Sequence, residues 1–209
     1  MVLLHGEEAL EVFSPIEADT TLVIQDTLVD IQDKKKAFIL VFEATIKNKE
    51  DGALVAKIHM NLFVRAPGGF GRAGTYKVEY PDPPKRAPCK SFEDKTSQNQ
   101  AFFYRLNGDY NPLHVDPQMS SMGGFKVPIL HGLCTYGMTA RAVYESFHKE
   151  DPQQLKKIVG RFTSHVFPGE TLVVDMWKDG KRIIFNTKTK ERGLVVLKGY
   201  AELKDEPKM

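Results

Sequence analysis

A charged glycine turn between two strand-like runs occurs twice in the chain, and this repeat limits the possible folds. The segments KNKEDGALVAK (47–57) and KTKERGLVVLK (188–198) agree at six of eleven positions without a gap. An alternating apolar run precedes each turn and another follows it, which is typical of antiparallel strands. Short matches between glycine turns also arise by chance. We favour duplication of a β-rich unit as the explanation.

Each copy of the repeat predicts three strands joined by two short turns, over 21–64 and 170–204. Helices are predicted only upstream of the second copy. A short helix should run over 97–108, from the capping residue Ser97 to the helix-ending Gly108. A long helix should occupy 131–150, because its apolar residues recur at helical spacing. This predicted stripe consists of Leu133, Met138, Ala142, Val143 and Phe147.

A long helix wrapped by one curved antiparallel sheet is the hot-dog arrangement, so the repeat predicts an α+β double hot-dog with two curved sheets, each wrapping a helix. The proline-rich segment 79–92 cannot form a helix or a central strand, because proline lacks an N–H donor and restricts the residue before it. We therefore predict an N-terminal repeat over 1–78, a connector over 79–92 and a C-terminal repeat over 93–209. Since the first copy's strands begin near residue 22, we expect its repeat to be incomplete at the N-terminus, either because it has lost its long helix or because the chain starts inside a longer domain.

Composition argues against several classes of protein. The chain has 29 Lys and Arg residues against 27 Asp and Glu residues, so it lacks the concentrated positive face that nucleic-acid binding needs. No apolar run approaches the length of a membrane span. The two cysteines have neither metal-site nor redox spacing, which favours free thiols in a reducing compartment. The GGFG segment (68–71) could cradle a phosphate, but a lone glycine cluster after a strand is more typical of a turn.

The segment GDYNPLH (108–114) is the strongest candidate for a catalytic loop. Pro112 forces Asn111 away from helical dihedral angles, so Asp109, Asn111 and His114 should fall on an irregular loop. A carboxylate and an imidazole that converge there could hold and activate one water molecule, with the Asn111 amide as a neutral orienting group. An Asp-x-Asn-Pro segment is equally typical of an ordinary turn whose side chains bond to nearby backbone. Spacing alone does not separate these two interpretations.

The segment PILHGLC (128–134) supplies a second candidate element. Gly132 lies at the predicted start of the long helix, where backbone N–H groups have no intrahelical acceptor and the helix dipole is positive. Because Gly132 has no side chain, a substrate carbonyl oxygen could approach its N–H closely. A held water molecule and a donor for a developing oxyanion suit the addition of water to an alkene conjugated with a carbonyl.

These motifs closely resemble one known family. The stretches YRLNGDYNPLHVDP and GGFKVPILHGLCTYG resemble the hydratase 2, or MaoC-like dehydratase, family of (R)-specific enoyl-CoA hydratases, and most closely the hydratase domains of its peroxisomal type 2 multifunctional members. Further similar segments, such as LHGEEALEV and VFPGETLVVDMWKDG, extend the resemblance over nearly the whole chain. The family hydrates trans-2-enoyl-CoA reversibly to (3R)-3-hydroxyacyl-CoA in fatty-acid β-oxidation, without a metal or redox cofactor. Its members generally form homodimers.

The resemblance also implies roles for individual residues. Asp109 and His114 would hold and activate the water, Asn111 would help to position the site, and the Gly132 N–H would receive the thioester oxygen. Which of Asp109 and His114 protonates C2 stays open. Further contacts to the acyl-CoA substrate would come from His5, Gly6, Lys34 and Phe162.

Two other functions fit parts of the sequence. A hot-dog acyl-CoA thioesterase would direct water to the thioester carbonyl, although the Asn-Pro-Leu-His spacing argues against it. A non-catalytic module could hold acyl-CoA without turnover, which the incomplete first repeat would explain. The resemblance implies a peroxisomal location, for which Pro207-Lys208-Met209 is only a weak C-terminal signal; the default location would otherwise be the cytoplasm.

Overall fold

A computed structural model describes residues 2–147 and 155–204. Its strands are β1 (Val2–Val12), β2 (Leu22–Asp33), β3 (Phe38–Asn48), β4 (Leu54–Arg65), β5 (Lys90–Lys95), β6 (Leu155–Phe162), β7 (Thr171–Asp179), β8 (Arg182–Thr189) and β9 (Val195–Leu203). Its helices are α1 (Gln100–Arg105), α2 (Pro117–Met122) and α3 (Gly132–Phe147), with a 3-10 turn at Pro112–His114. No helix in the described part of the chain is long and apolar enough to cross a membrane.

The strands form one continuous antiparallel sheet in the order β2-β3-β4-β1-β6-β9-β8-β7-β5. The prediction of two sheets, each wrapping its own helix, differs from this arrangement in two ways. Strand β1 pairs with β4 on one side and with β6 on the other, so it joins the two halves. Residues 2–78 contain no helix, whereas α3 packs on the strands of the second half. The fold is a hot-dog fold with one large sheet and few helices.

The two predicted glycine turns have the same backbone geometry. The N–H of Gly52 donates to the Asn48 carbonyl at 3.0 Å, and the N–H of Gly193 donates to the Thr189 carbonyl at 2.8 Å. Both glycines have a left-handed conformation, with φ of +71° and +65°, which glycine adopts without steric cost. The three strands predicted for each copy are confirmed as β2–β4 and β7–β9. The boundaries of the two repeats stay a prediction.

The predicted connector is mostly irregular. Residues 66–89 contain neither helix nor strand, as expected for a proline-rich segment. Strand β5 begins at Lys90 and lies at one end of the sheet. The last three residues of the predicted connector therefore belong to an edge strand rather than to the linker.

Helix α3 confirms the predicted long helix over 132–147, and 148–150 lie outside the described residues. Its buried face differs from the predicted stripe. Ala142 and Val143 are buried, but the other three stripe residues are only half-buried. Thr135 and Thr139 are buried instead. The Thr139 hydroxyl is satisfied there, because it donates to the Thr135 carbonyl at 2.9 Å and lies 2.7 Å from the Thr187 hydroxyl on β8. Hydrogen bonds thus bury polar residues that an apolar pattern overlooks.

The GGFG loop binds a carboxylate of the protein itself. The N–H groups of Gly69, Gly71 and Lys35 donate to the Asp33 side chain at 3.0, 2.7 and 2.6 Å. These bonds, led by that from Gly69, lower the pKa of Asp33. The loop is therefore a turn whose donors are already engaged, in agreement with the preferred interpretation of the sequence.

The glycine contacts lead to a stability prediction. A Cβ atom on Gly199 of β9 would lie 1.9 Å from the Val159 carbonyl oxygen, whereas one on Gly137 of α3 would have no neighbour within 4 Å. We expect Gly199→Ala to reduce the free energy of unfolding by about 2 kcal/mol or more. Gly137→Ala should raise it by up to ~1 kcal/mol, because alanine favours a helix over glycine. Denaturant unfolding of both variants checks this; an unchanged Gly199→Ala protein would contradict the close approach of β6 and β9.

Candidate active site

The helix that precedes the candidate catalytic loop is shorter than predicted. Helix α1 spans only 100–105, and its N-cap is Asn99 rather than Ser97, whose hydroxyl instead accepts the Asn99 N–H at 3.2 Å. The chain then turns at Gly108, with φ of +102°. Arg105 steadies the loop, since its guanidinium donates to the Tyr110 carbonyl at 3.0 Å and lies 5.2 Å from the centre of the Tyr110 ring.

The Asp-x-Asn-Pro segment forms an ordinary turn, while its catalytic interpretation stays a prediction. Asp109 Oδ1 accepts the Asn111 N–H, and Asn111 Oδ1 accepts the Leu113 N–H, each at 3.1 Å. These are the bonds of an ordinary turn, and they give Asn111 a positioning role within the loop. They occupy only one carboxylate oxygen of Asp109, so Oδ2 can still accept a hydrogen bond from another group. Asn111 is extended, with ψ of 118°, as the following proline requires.

His114 is buried at the end of the 3-10 turn in a defined tautomer. Its Nδ1 lies 2.8 Å from the Ile129 carbonyl oxygen, which can only accept, so Nδ1 carries the proton and Nε2 presents a lone pair. Burial lowers the pKa of His114, while the bond to Ile129 and the charge of Asp109 partly oppose this effect. His114 is therefore neutral at pH 7 and can accept a proton at Nε2.

His131, which precedes Gly132, belongs to the same cluster, and the sequence reasoning assigned it no role. Its ring stacks on that of His114 with 3.8 Å between ring centres. Its Nε2 lies 3.9 Å from Asp109 Oδ2. Burial, reinforced by His114, lowers the pKa of His131 to about 4, although Asp109 opposes this shift. The signal that could have revealed this residue was its position in the same Leu-His-Gly motif as Gly132.

Asp109, His114 and His131 each place one polar atom within 4.8 Å of the others. Such a trio has the ligand types of a metal site. Nδ1 of His114 is already bonded to the Ile129 carbonyl, so His114 offers only Nε2 to the cluster. The same polar atoms can hold a water molecule, which both donates and accepts hydrogen bonds.

The start of α3 lies against two of the predicted substrate-contact residues. An ideal Cβ on Gly132 would lie 3.2 Å from the Phe162 ring, which leaves room for only a small residue at 132. The edge of the His5 ring meets the Phe162 ring at 5.2 Å between centres. His5 Nε2 also lies 2.9 Å from the Glu8 carboxylate. Strand β1 thus brings His5 to the first turn of α3.

Gly6 lies at an irregularity in β1. The register of β1 against β4 shifts between His5 and Glu7, which makes Gly6 the extra residue of a β-bulge. A Cβ there would be 3.2 Å from the Asn61 carbonyl oxygen. Because the bulge interrupts the normal alternation, His5, Gly6 and Glu7 all line the same cavity.

A cavity of about 620 Å³ unites the site. Its lining is mostly apolar and comes from β1, β4, the catalytic loop, the start of α3 and the end of β6. Seven of the eight predicted site residues line the cavity: Asp109, Asn111, His114, Gly132, His5, Gly6 and Phe162. The eighth, Lys34, lies on the exposed β2–β3 turn and does not line it, because β2 is the edge strand farthest from β1 in that half of the sheet. The geometry defines a class of protein: a hot-dog fold with a carboxylate and a neutral imidazole beside an apolar cavity.

Comparison with known families agrees with this class. Residues 76–199 match the model of the MaoC like domain, and residues 1–66 match the model of the MFE-2 hydratase 2 N-terminal domain. The chain therefore belongs to the MaoC-like hydratase 2 family, and the resemblance inferred from its motifs is confirmed.

Similar proteins support the same assignment. The chain is 41% identical to the peroxisomal enoyl-CoA hydratase 2 of Arabidopsis thaliana over 97% of its own length and 69% of that protein. It resembles the crystal structure of a MaoC-like dehydratase from Phytophthora capsici with a TM-score of 0.90, at 35% identity, over 99% of this chain and 72% of that one. For full-length peroxisomal multifunctional enzyme type 2 of Drosophila melanogaster the TM-score is 0.88, at 39% identity, over 96% of this chain and 37% of that one.

The neutral state of His131 predicts a pH dependence of stability. The folded-state pKa of about 4 lies below the ordinary 6.5, so between these values the unfolded chain binds a proton that the folded protein excludes. The neutral His131 therefore leaves the free energy of unfolding unaffected above pH 6.5. As the pH falls towards 4, the free energy of unfolding decreases by up to about 3 kcal/mol. We expect denaturant unfolding to show a smaller acid-induced loss in His131→Phe than in the wild type. Equal losses would contradict the buried neutral state of His131.

Proposed function

We propose that this chain catalyses the reversible hydration of trans-2-enoyl-CoA to (3R)-3-hydroxyacyl-CoA in fatty-acid β-oxidation. The observation that carries the proposal is the meeting of Asp109 with the neutral His114 beside an apolar cavity at the start of α3. A cavity of this size can hold an acyl chain. Membership of the hydratase 2 family supplies the substrate class and the configuration of the product.

In the proposed mechanism a water molecule lies between the Asp109 carboxylate and His114 Nε2. His114 accepts a proton from the water as its oxygen bonds to C3, and Asp109 orients the water and stabilises the imidazolium that forms. The electron pair of the C2–C3 double bond moves towards the thioester, whose oxygen becomes an enolate. The imidazolium then returns its proton to C2, so one water molecule is added and the protein ends in its starting state.

Gly132 would stabilise the enolate. As the first residue of α3, its N–H has no intrahelical acceptor and lies at the positive end of the helix dipole. We propose that it donates to the thioester oxygen. His5 and Phe162 pack against this point, and we propose that they bound the acyl chain there, with Gly6 allowing β1 to approach. Lys34 would contact the substrate only at its exposed CoA end.

We further propose that no metal or redox cofactor takes part, since hydration transfers no electrons and a carboxylate with a neutral imidazole can activate water by acid–base chemistry alone. We also propose a double hot-dog organisation, which the matching turns at Gly52 and Gly193 support, with a first repeat that lacks its own helix. The peroxisomal names of the relatives support a peroxisomal location for this chain. The weak C-terminal signal at 207–209 lies outside the described residues. Cytosolic fluorescence of the tagged, complete protein would contradict that location.

A homodimer is also proposed for the folded chain. Large apolar side chains on and after α1 are between 57% and 79% exposed, as is one at the end of α2, and exposed apolar patches often mark interfaces. These residues are Phe102, Phe103, Leu106, Tyr110 and Met122. Light scattering should give twice the chain mass of 23.6 kDa; a monomeric mass would contradict the proposal.

The role of Asp109 in orienting the water and stabilising the imidazolium predicts the effect of Asp109→Asn. Loss of the carboxylate should lower kcat by about 10²- to 10⁴-fold, because His114 then loses the charge that stabilises its protonated form. The assay is the loss of enoyl-thioester absorbance of trans-2-decenoyl-CoA, with the product tested by an (R)-specific dehydrogenase. Asp26→Asn is the matched control, because Asp26 is exposed on β2 and does not line the cavity.

Three outcomes would contradict the proposal. Full turnover in Asp109→Asn would exclude the assigned role of Asp109. Release of CoA thiol by the wild type, without hydration, would indicate a thioesterase. Binding without either reaction would indicate a non-catalytic acyl-CoA-binding module.

The oxyanion assignment predicts a difference between two substitutions at Gly132. Ala and Pro both place a Cβ against Phe162, but only Pro removes the N–H, and proline is well tolerated at the first position of a helix. We expect kcat of Gly132→Pro to fall a further ~10²-fold below that of Gly132→Ala, the usual cost of losing one oxyanion donor. Equal kcat values in two variants with matched thermal stability would exclude the Gly132 N–H as the donor.

A further inference from the structure

The ring of His131 is a buried polar group without a well-formed hydrogen bond. Its side chain is 1% exposed, and no bond of normal geometry joins either ring nitrogen to a described residue, although the backbone and the carboxylate of Asp109 are close enough to raise its pKa. A buried polar group left in this state destabilises the folded protein. Such a group in a folded protein calls for an explanation. A functional role is one explanation, because His131 lies beside Asp109 and His114.

Two flanking rings restrict the orientation of His131. Its ring stacks on that of His114 at 3.8 Å and meets that of Tyr104 at 4.7 Å between centres. Because other rings contact the imidazole, its two nitrogens can form hydrogen bonds only in the plane of the ring. One of them, Nε2, lies 3.9 Å from Asp109 Oδ2.

Asp109 needs a second donor if its carboxylate is to be fixed. Its Oδ1 accepts the Asn111 N–H, while Oδ2 faces His131 and the side chain is 42% exposed. A carboxylate held at one oxygen can still turn about its side-chain bond. A donor at Oδ2 would fix its plane and hence the direction of the lone pairs offered to water.

We propose that His131 is a positioning residue, which donates its Nε2–H to Asp109 Oδ2 when substrate fills the cavity and holds the His114 ring by stacking. The separation of 3.9 Å would then shorten to about 2.9 Å, since catalytic hydrogen bonds that are long in a free enzyme tighten in the complex. This inference rests on the proposed hydratase function and assigns a further residue to it.

The charged and titratable neighbours are compatible with this role. Asp109 and His114 face the ring directly, the Tyr104 phenol lies on the other side, and Arg105 acts from farther away. Burial keeps His131 neutral near pH 7, so it can donate one proton to the carboxylate without placing a second positive charge beside His114 during turnover.

The test compares two replacements of His131. His131→Phe keeps a flat ring for stacking but has no donor, whereas His131→Gln can place an amide N–H near the position of Nε2. We expect kcat to fall about 10- to 100-fold in the Phe variant, because small displacements of reacting groups cost this much, with KM changed less than about threefold. The Gln variant should recover at least a third of wild-type kcat. The acidic limb of the kcat/KM profile should move to higher pH in the Phe variant only.

The control is His59→Phe. His59 is a half-buried histidine of β4 that pairs with Glu43 and does not line the cavity. Its replacement should leave kcat and the pH profile unchanged, which shows that loss of a histidine elsewhere has no such effect.

A second readout does not depend on turnover. With a saturated acyl-CoA bound, the Nε2–H proton of His131 should appear in NMR spectra as a slowly exchanging, downfield signal, and Asp109→Asn should abolish it. No such signal in the wild-type complex, or wild-type kcat in a folded Phe variant, would overturn the role of His131. A silent wild type with the expected signal would instead overturn the hydratase proposal and leave the His131–Asp109 contact standing.

Discussion

The pairing of β1 with both β4 and β6 is the constraint on which the rest of the structure depends. Without this strand the two halves of the sheet would each end in an unpaired edge, and edges of that kind invite association. With it, the ladder of backbone hydrogen bonds runs unbroken from β2 to β5. The same strand carries the bulge at Gly6, which turns His5 and Glu7 into the cavity opposite the catalytic loop. The same strand therefore makes the sheet continuous and forms part of the cavity wall.

The electrostatic character of the site follows from uneven burial. His114 and His131 are buried and have lowered pKa values, whereas Asp109 keeps contact with solvent. A charged imidazole is costly in such a place unless a carboxylate faces it. The arrangement therefore holds a neutral proton acceptor beside a fixed negative charge. A proton can be taken up there during a reaction and is readily given back, as reversible addition of water requires.

Some features of the molecule could be predicted from local patterns. The glycine turns and the long helix were correctly placed because they depend on alternation, left-handed glycines and helical spacing, which neighbouring residues determine. The loop at 109–114 was also recognisable, since Pro112 dictates the backbone of Asn111. Strand β1 was missed as a strand, and Thr135 and Thr139 were missed as buried residues. The backbone pairing of β1 and the contact between the Thr139 and Thr187 hydroxyls join residues far apart in the chain, so no local pattern records them.

The sequence by itself determined the class of protein, the strands around the two glycine turns and the candidate catalytic loop, because these reside in short motifs whose chemistry is local. Only the tertiary structure decided how the motifs meet. It joined the halves into one sheet, left Lys34 on an exposed turn, and placed His131 between Tyr104 and Asp109 with its ring against His114. The physical reason is that burial and distance between side chains arise from long-range packing. A histidine in a Leu-His-Gly motif becomes a neutral, buried group beside a carboxylate only when the helix and the loop pack together.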